Sequence, residues 1–576
     1  MKILLTTLNA KYIHSSLALA YLQAYCQDYH DIHILEYTIN EPADKIRADI
    51  YSGQPDIVCF SCYIWNIELI RIICADLKQV LPGIKIIAGG PEVSYDADRF
   101  MDENPAIDYV ICGEGEVTLL ELLNNIKGGG TPEKIAGIAY RQGSIAVNQE
   151  RPLIQDLDSI PFPYENKLTY YNKRIIYYEA SRGCPFNCSY CLSSTVKGVR
   201  YFSLDRVKKD LQYLMDSRVP KVKFVDRTFN AGEKRARSIM EFIVAHNQVT
   251  NFHCEIDAAI LTPEMLSFLE KLPAGMFDFE IGVQSTFPPA LAAVNRSSSW
   301  EKQRYNIARL LKSGNIHIHL DLIAGLPWET YEQFGKSFND VYCLTPDIIQ
   351  LGFLKLLKGS PLRQQHREYD YRFEIKPPYQ VLGNQFISYS EMLKLGQIEN
   401  LLNRYYNTGI ADNFLGSIIS RDYQGNPFVF YESLASYLHS RDFFRYGQGR
   451  IEEYKVLYRF VNDCRQGNPL YIELLKLDFL LNNKERSLPP FFVSHNPDHA
   501  GKTLYSLIKN PDFIIKHMPE FKDKAAREIR RLVHLEYLML DPSYQLTDET
   551  VPILFIYEIP GHKARTLCID QEYLLD

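Results

Sequence analysis

The feature that most constrains this chain is Cys184-Pro185-Phe186-Asn187-Cys188-Ser189-Tyr190-Cys191, three cysteines in the spacing C-x3-C-x2-C. It follows the apolar stretch Ile175 to Ala180, which reads as a strand, so the thiols sit on a loop at a strand's end. Three thiolates on one short loop can ligate three irons of a 4Fe-4S cluster. The fourth iron then stays open to hold a substrate, whereas four cysteines close a cluster for electron transfer. A zinc loop is the competing reading, but structural zinc wants four ligands, usually as two spaced pairs, and no second pair stands nearby. The fold must therefore deliver a strand end, a loop and an open cluster together.

Residues 1 to about 130 alternate strand-like and helix-like stretches. Lys2 to Leu8, Ile32 to Tyr37, Asp56 to Tyr63, Lys85 to Ala88 and Asp108 to Cys112 read as strands, each followed by a helical stretch. The first helix is expected over Ser15 to Cys26, with Ser15 or Ser16 as its N-cap. Five βα units with short connections predict a doubly wound parallel α/β sheet of flavodoxin-like kind, with a ligand groove at its carboxyl ends. Gly89-Gly90-Pro91 and Gly113-Glu114-Gly115-Glu116 lie at two of those ends. Glycine there admits close backbone approach, and a following helix offers N–H groups to an anion. Cys59 and Cys62 form a C-x2-C inside the apolar run Ile57 to Ile64, where alternation points the two thiols apart. They read as buried strand cysteines.

Gly128-Gly129-Gly130 closes this first domain. Residues 131–170 read as a hairpin and linker, the hairpin turning at Arg141-Gln142-Gly143-Ser144. From 171 to 365 strands and helices alternate again. The cluster strand is joined by Val222 to Val225, Phe252 to Ile256, Phe277 to Val283, His317 to Ile323 and Ile348 to Phe353. Six βα units predict a partial (β/α)6 barrel of TIM type, whose active residues sit at the strands' carboxyl ends. Asp226, Glu255, Gln284, Ser285 and Asp321 stand there. His317 and His319 share one strand face and read as structural. After Pro377-Pro378, residues 377–576 read as a mostly helical domain. Its stripes are Leu395, Ile398, Leu402 and Tyr405, then Ile529, Leu532, Val533 and Leu535 to Leu538. Arg527, Arg530 and Arg531 would form a solvated basic face on the second stripe's helix. Ile553 to Tyr557 and Thr566 to Ile569 suggest a small hairpin.

The cysteine triplet, with an aromatic before its last cysteine, resembles the signature of the radical S-adenosylmethionine (SAM) enzymes. In that superfamily the open iron chelates the amino and carboxylate groups of SAM, and the reduced cluster cleaves it to a 5′-deoxyadenosyl radical. The order of the strand-end residues resembles the domain shared with oxygen-independent coproporphyrinogen oxidases. That resemblance implies Glu255 and Asp321 at the SAM ribose, Gln284 and Arg296 at its methionine end, and Ile323 at the adenine. Asp226 stands where the family's Gly-Gly-Glu stretch meets the SAM amino group, although the glycines are missing here.

Phe60-Ser61-Cys62-Tyr63, Ala88-Gly89-Gly90-Pro91 and Cys112-Gly113-Glu114-Gly115-Glu116 resemble the cobalamin-binding domain that precedes many radical SAM domains. The resemblance implies Ser61, Gly89, Gly90, Gly113 and Glu114 along the corrinoid groove. Many cobalamin proteins also carry D-x-H-x-x-G, whose histidine is the lower cobalt ligand. Tyr12-Ile13-His14-Ser15-Ser16-Leu17 keeps the histidine but neither the Asp nor the Gly. His14 is therefore read as a loop or helix-start residue, and the corrinoid as base-off without a histidine ligand. The C-terminal region is similar to the uncharacterised domain that ends a family with this architecture.

These cofactors, a 4Fe-4S cluster, SAM and cobalamin, imply a methyltransferase acting on an unactivated carbon. The alternative is a radical oxidation or rearrangement with cobalamin structural or absent, and a corrinoid or redox sensor stands below both. A flavodoxin- or ferredoxin-type electron donor is expected, and the substrate (small molecule, peptide or RNA) is left open. The net charge of −7 gives no polyelectrolyte signal for nucleic acid. No apolar run reaches membrane-span length, and Met1 to Thr7 reads as a strand, not a signal-peptide core. The cysteines outside the triplet are scattered, which excludes a disulfide framework and suits a cytoplasmic protein.

Overall fold

In the computed structural model, which describes residues 1–441, 443–445, 449–484, 487–558 and 563–574, the apolar runs of the first segment become a parallel sheet. Its strands are β1 (Lys2–Asn9), β2 (Asp31–Thr38), β3 (Ile57–Ser61), β4 (Lys85–Gly89) and β5 (Tyr109–Ile111), in the order β2-β1-β3-β4-β5. That is the flavodoxin-like order, with its ligand side at the carboxyl ends. The hairpin β6 (Ile138–Gln142) and β7 (Ser144–Val147) continues the same sheet antiparallel to β5. Alternation sends Val58, Phe60 and Cys62 into the core on one face, and Ile57 and Cys59 into the core on the other. The two thiols of the C-x2-C thus point to opposite faces.

β8 (Ile176–Tyr178) leads into a two-stranded ribbon, β9 (Ser181–Cys184) against β10 (Gly198–Tyr201), which carries the first cysteine of the triplet. β11 (Lys221–Phe224), β12 (Asn251–Ile256), β13 (Phe277–Gln284), β14 (His317–Ala324) and β15 (Ile348–Phe353) complete a six-stranded sheet ordered β15-β14-β13-β12-β11-β8. All its pairings are parallel, as a partial barrel requires. On β13, Phe277, Phe279, Ile281 and Val283 are fully buried, which leaves Asp278, Glu280, Gly282 and Gln284 on the opposite, inner face. β14 repeats the pattern, with His317, His319, Asp321 and Ile323 facing inward. Past β15 the chain forms a short ribbon, Arg372–Phe373 with Val381–Gly383, tied back by Val381 N–H to the Leu354 carbonyl.

The chain divides into two compact units, Met1–Met392 and Leu393–Asp576, so the division falls beyond Pro377-Pro378. The second unit is largely helical, including Asp412–Asp422, Pro427–His439, Arg450–Arg465 and Pro469–Asn482. It also holds a three-stranded antiparallel sheet of Val533–Leu540, Leu546–Ile556 and Arg565–Cys568. This corrects the helix expected through Leu538, because the helical turn covers only Ala526–Ile529. Val533, Leu535 and Tyr537 pack against Leu507, Ile508 and Phe513, and the helix Pro469–Asn482 also packs on this strand. A strand buried on nearly all sides shows a continuous apolar run, which periodicity cannot distinguish from a helix. Arg530 and Arg531 consequently lie in a turn, not on a helix face. Among the described residues no helix is long and apolar enough to cross a membrane.

Candidate cofactor sites at the facing strand ends

Gly183 lets β9 and β10 approach closely enough to present the triplet. Its φ is +102°, and a Cβ there would lie 2.1 Å from the Gly198 carbonyl oxygen. Ser189, in the middle of the loop, donates its N–H to the Val294 carbonyl and accepts from Leu362 N–H, both at 2.9 Å. Cys188 is buried and Cys184 and Cys191 are half-buried. Burial raises the Cys188 thiol, and the neighbouring Arg296 guanidinium opposes that rise.

Asp226 holds the strand that precedes the triplet. One carboxylate oxygen accepts from Ala180 N–H at 2.9 Å and the other from the Ser181 hydroxyl at 2.5 Å, with only 3% of the residue exposed. Both oxygens are therefore engaged by the chain itself, which makes Asp226 a brace on the strand ahead of the triplet. Burial pushes this carboxyl up to about 6 against those two hydrogen bonds.

The other strand-end groups are not satisfied in this way. Arg296 places Nη1 3.8 Å from Cys188 Sγ, donates through Nη2 to the Gly282 carbonyl, and leaves Nε buried without a partner. Gln284, at φ +69°, folds its amide back over Gly282, where an added Cβ would lie 2.2 Å from Nε2. Its Oε1 is likewise buried and unpartnered, as is Oδ1 of Asp321. Burial raises the Asp321 and Glu255 carboxyls, and Glu280 adds to both shifts. Ile323 ends the inner face of β14, paired with Gly352. Arginine, amide and carboxylate groups left open in one sheet's carboxyl edge fit a ligand that carries a carboxylate, an amine and a diol.

Deeper in the barrel the accounting closes. Glu280 takes Lys223 at 3.0 Å and His253 at 2.9 Å, and the His253 hydrogen bond leads the effects that hold its carboxyl down to about 2. His319 bonds His317 at 2.9 Å, and burial presses it down to about 4. The two histidines thus belong to the barrel's inner polar column.

A cavity of about 620 Å³ lies at the carboxyl edge of the first sheet, and the barrel's first two strands border it through Tyr177, Glu179, Val225 and Arg227. Ser61, Gly89, Gly90, Gly113 and Glu114 all line it. Gly90, at φ +112°, lies so close to Cys62 that a Cβ would sit 2.5 Å from its carbonyl oxygen. The result is a floor of bare backbone, the kind of cradle a broad planar ligand needs. The Glu114 carboxylate is held by Arg200 at 2.7 Å, Arg182 at 3.2 Å and Ile154 N–H at 2.8 Å. Burial would raise that carboxyl, yet these partners hold it below its usual value.

Arg182, two residues before Cys184, also grips Glu116 at 2.5 Å and Glu179 at 2.9 Å, so it joins the first sheet's edge to the cluster strand. Even so, burial pushes Glu179 up to about 7. His14 lies in the loop before the helix Leu17–Cys26, whose N-cap is Ser16. Its Nδ1 meets the Tyr177 hydroxyl at 2.6 Å. Arg182, Arg200, Tyr177 and Arg227 escaped the sequence reading: the first three draw their roles from partners distant in the chain, and Arg227 draws its place from the cavity it lines. The one local signal was charge: Arg182 and Arg227 each adjoin a strand-end motif.

Three family models match this chain: a B12 binding domain over residues 3–123, the radical SAM superfamily over 178–341, and a protein of unknown function, DUF4080, over 367–555. An uncharacterised methyltransferase, PH0819 of Pyrococcus horikoshii, is 27% identical over 356 residues, which is 60% of this chain and 77% of that one. The cobalamin-dependent radical SAM methyltransferase TokK of Streptomyces tokunonensis is 25% identical over 381 residues, 61% of this chain but only 53% of its own length. Among solved structures, the cobalamin-dependent SAM radical enzyme OxsB with aqua-cobalamin bound superposes with a TM-score of 0.56 at 14% identity, covering 83% of this chain and 79% of that one. That likeness shows the fold. The matched domains imply a 4Fe-4S cluster, SAM and cobalamin as cofactors. The B12 binding match thus falls on the first sheet and the radical SAM match on the second, the two sheets whose carboxyl ends border one cavity, and a match to a domain of unknown function follows them.

Proposed function

We propose that the protein is a cobalamin-dependent radical SAM methyltransferase that methylates an unactivated carbon. The observation that carries this reading is the shared cavity: the glycine-floored edge of the first sheet and the first strands of the barrel line one space. When bound, the cluster and SAM supply a 5′-deoxyadenosyl radical and cobalamin supplies a methyl carrier, so the cofactors hold the hard chemistry. The chain's own work is positioning. Cys184, Cys188 and Cys191 hold the cluster on a loop pinned through Ser189, and Asp226 clasps the strand ahead of it. Arg296 and Gln284 receive the methionine end of SAM beside Cys188, Glu255 and Asp321 take the ribose diol, and Ile323 packs on the adenine. Ser61, Gly89, Gly90 and the Gly113–Glu114 backbone form the corrinoid groove, consistent with the TokK-like relatives. A flavodoxin- or ferredoxin-type donor would reduce the cluster, which an oxygen-poor cytoplasm would protect.

The test is anaerobic reconstitution with iron, sulfide and hydroxocobalamin, then desalting, an absorption spectrum and product analysis with SAM and a low-potential reductant such as titanium(III) citrate, which supplies the electrons for both cluster and corrinoid. Methyl donation leaves S-adenosylhomocysteine and radical formation leaves 5′-deoxyadenosine, so a methyltransferase yields both. Retained corrinoid with both products is expected, and Cys188→Ala should abolish 5′-deoxyadenosine. Deoxyadenosine without homocysteine product or corrinoid would replace methyl transfer with a radical oxidation or rearrangement.

A further inference from the structure

Arg227 follows Asp226 beyond the carboxyl end of β11 and lines the cavity from the barrel side. The other charges around this space are matched. Arg182 holds Glu114, Glu116 and Glu179, and Arg200 holds Glu114 as well. Of the two arginines that line the cavity, Arg227 is the one whose side chain makes no ion pair or hydrogen bond among the described residues, and it is exposed. The same cavity is lined by Ser61, Tyr63, Gly89 and Gly90 from the first sheet and by Tyr177, Val225 and Arg227 from the barrel, and the charge of Arg227 acts on Tyr63 and on Glu255 of β12. Its place is therefore the space that the two sheets share, where the proposed function has a methyl acceptor sit.

We infer that Arg227 recognises a carboxylate or phosphate on the methyl acceptor, so that the substrate is an anionic molecule held through that group; this rests on the function proposed above. A guanidinium presents a planar fork that matches two oxygens of a carboxylate or phosphate. An uncompensated cation in a recessed, partly apolar space also gains more from an anion than it would in open water. SAM does not require this residue, because Arg296 already stands beside Cys188 for its carboxylate. The corrinoid floor on the far side is glycine backbone. The one competing source of the same chemistry is the phosphate of the corrinoid's nucleotide loop.

The experiment uses the full chain reconstituted with iron, sulfide and hydroxocobalamin. Inorganic phosphate and succinate are titrated by calorimetry into wild type, Arg227→Gln and Arg227→Lys, with iron and corrinoid content measured in every sample. Wild type should bind at least one of the two anions saturably, and Arg227→Gln should weaken it about tenfold, as loss of a charge-assisted pair does. Arg227→Lys, which keeps the charge and loses the fork, should fall between them, with equal corrinoid content throughout. No saturable binding, or equal affinity in wild type and Arg227→Gln, overturns the inference. Loss of corrinoid from Arg227→Gln assigns the anion to the corrinoid's own phosphate and also overturns it. A wild type that retains no corrinoid would instead defeat the proposed function, and the titration would still decide the role of Arg227.

Discussion

In an Asp226→Ala variant, the Ala180 N–H and the Ser181 hydroxyl lose their acceptor at a position that is 3% exposed. A buried donor left unsatisfied costs about 1–3 kcal/mol. The hydroxyl can rotate toward another acceptor and the backbone N–H cannot, so a total of roughly 2–5 kcal/mol falls on the two residues leading to Cys184. In Asp226→Asn the amide oxygen can keep the Ala180 N–H while its NH₂ faces a Ser181 hydroxyl turned to accept. The loss there should be about 1 kcal/mol or less. The assay is iron and sulfide content after reconstitution, with the spectrum of the reduced cluster recorded with and without SAM. Ala should lower cluster content, and Asn should keep both the cluster and its response to SAM. Full iron in the Ala variant with the SAM response lost would refute the clasp and make Asp226 a ligand contact. The pH dependence has a definite sign. The folded carboxyl is raised from 3.8 to about 6, so the folded state binds the proton more tightly. Stability then falls as pH rises through that window and levels off above it; Asp226→Asn should lack this slope.

Gly90→Ala would force a side chain into φ +112° with its Cβ 2.5 Å from the Cys62 carbonyl; strain of about 1–3 kcal/mol should cut corrinoid retention after desalting while leaving iron content intact. Arg182→Met would strand Glu114, Glu116 and Glu179 with one partner gone, a change that costs about 3–5 kcal/mol in buried pairs, read as a lower thermal midpoint. Because Glu179 is already pushed up to about 7, the loss should be smaller at pH 6 than at pH 8. In the second unit Asp478 is fully buried and accepts from Asn413 N–H, the Asn413 amide and Phe414 N–H. Burial raises it from 3.8 to about 7, so its contribution makes stability fall between those values as pH rises. Asp478→Asn should flatten that slope in urea midpoints measured at pH 5 and 7.5.

What was legible in the sequence was whatever depends on neighbours along the chain. The triplet, the βα alternation and the glycines at the strand ends are local patterns, and each has a direct structural counterpart. The run Val533–Leu540 was misread because burial on both faces erases the alternation that marks a strand. The surroundings of Asp226 and Glu114 are illegible in the sequence for a different reason. Both are acids at strand ends, but their oxygens are claimed by Ala180, Ser181, Arg182 and Arg200. Such claims are made across tens of residues, and a motif cannot show that a group is already occupied. Residue type predicts the capacity to bind a ligand; only the fold reveals whether that capacity is still free.

Hydrogen-bond accounting also marks where the barrel stops being scaffold and becomes a site. At the level of Glu280, Lys223 and His253 satisfy the carboxylate, and the acid stays well below its usual range. Directly beside Glu280 on β12, the Glu255 side chain makes no hydrogen bond among the described residues, and two residues further along β14 Asp321 leaves Oδ1 orphaned. Their shifts run the opposite way, upward. Buried polar groups are otherwise paired, so the orphaned Asp321 oxygen and the open Glu255 side chain mark the part of the barrel where polar capacity is still free. Burial raises both acids and the neighbouring Glu280 adds to each shift, which favours their protonated forms. The inner column therefore does more than fill the barrel: together with burial it disfavours the charged forms of Glu255 and Asp321, the two acids proposed above for the SAM ribose.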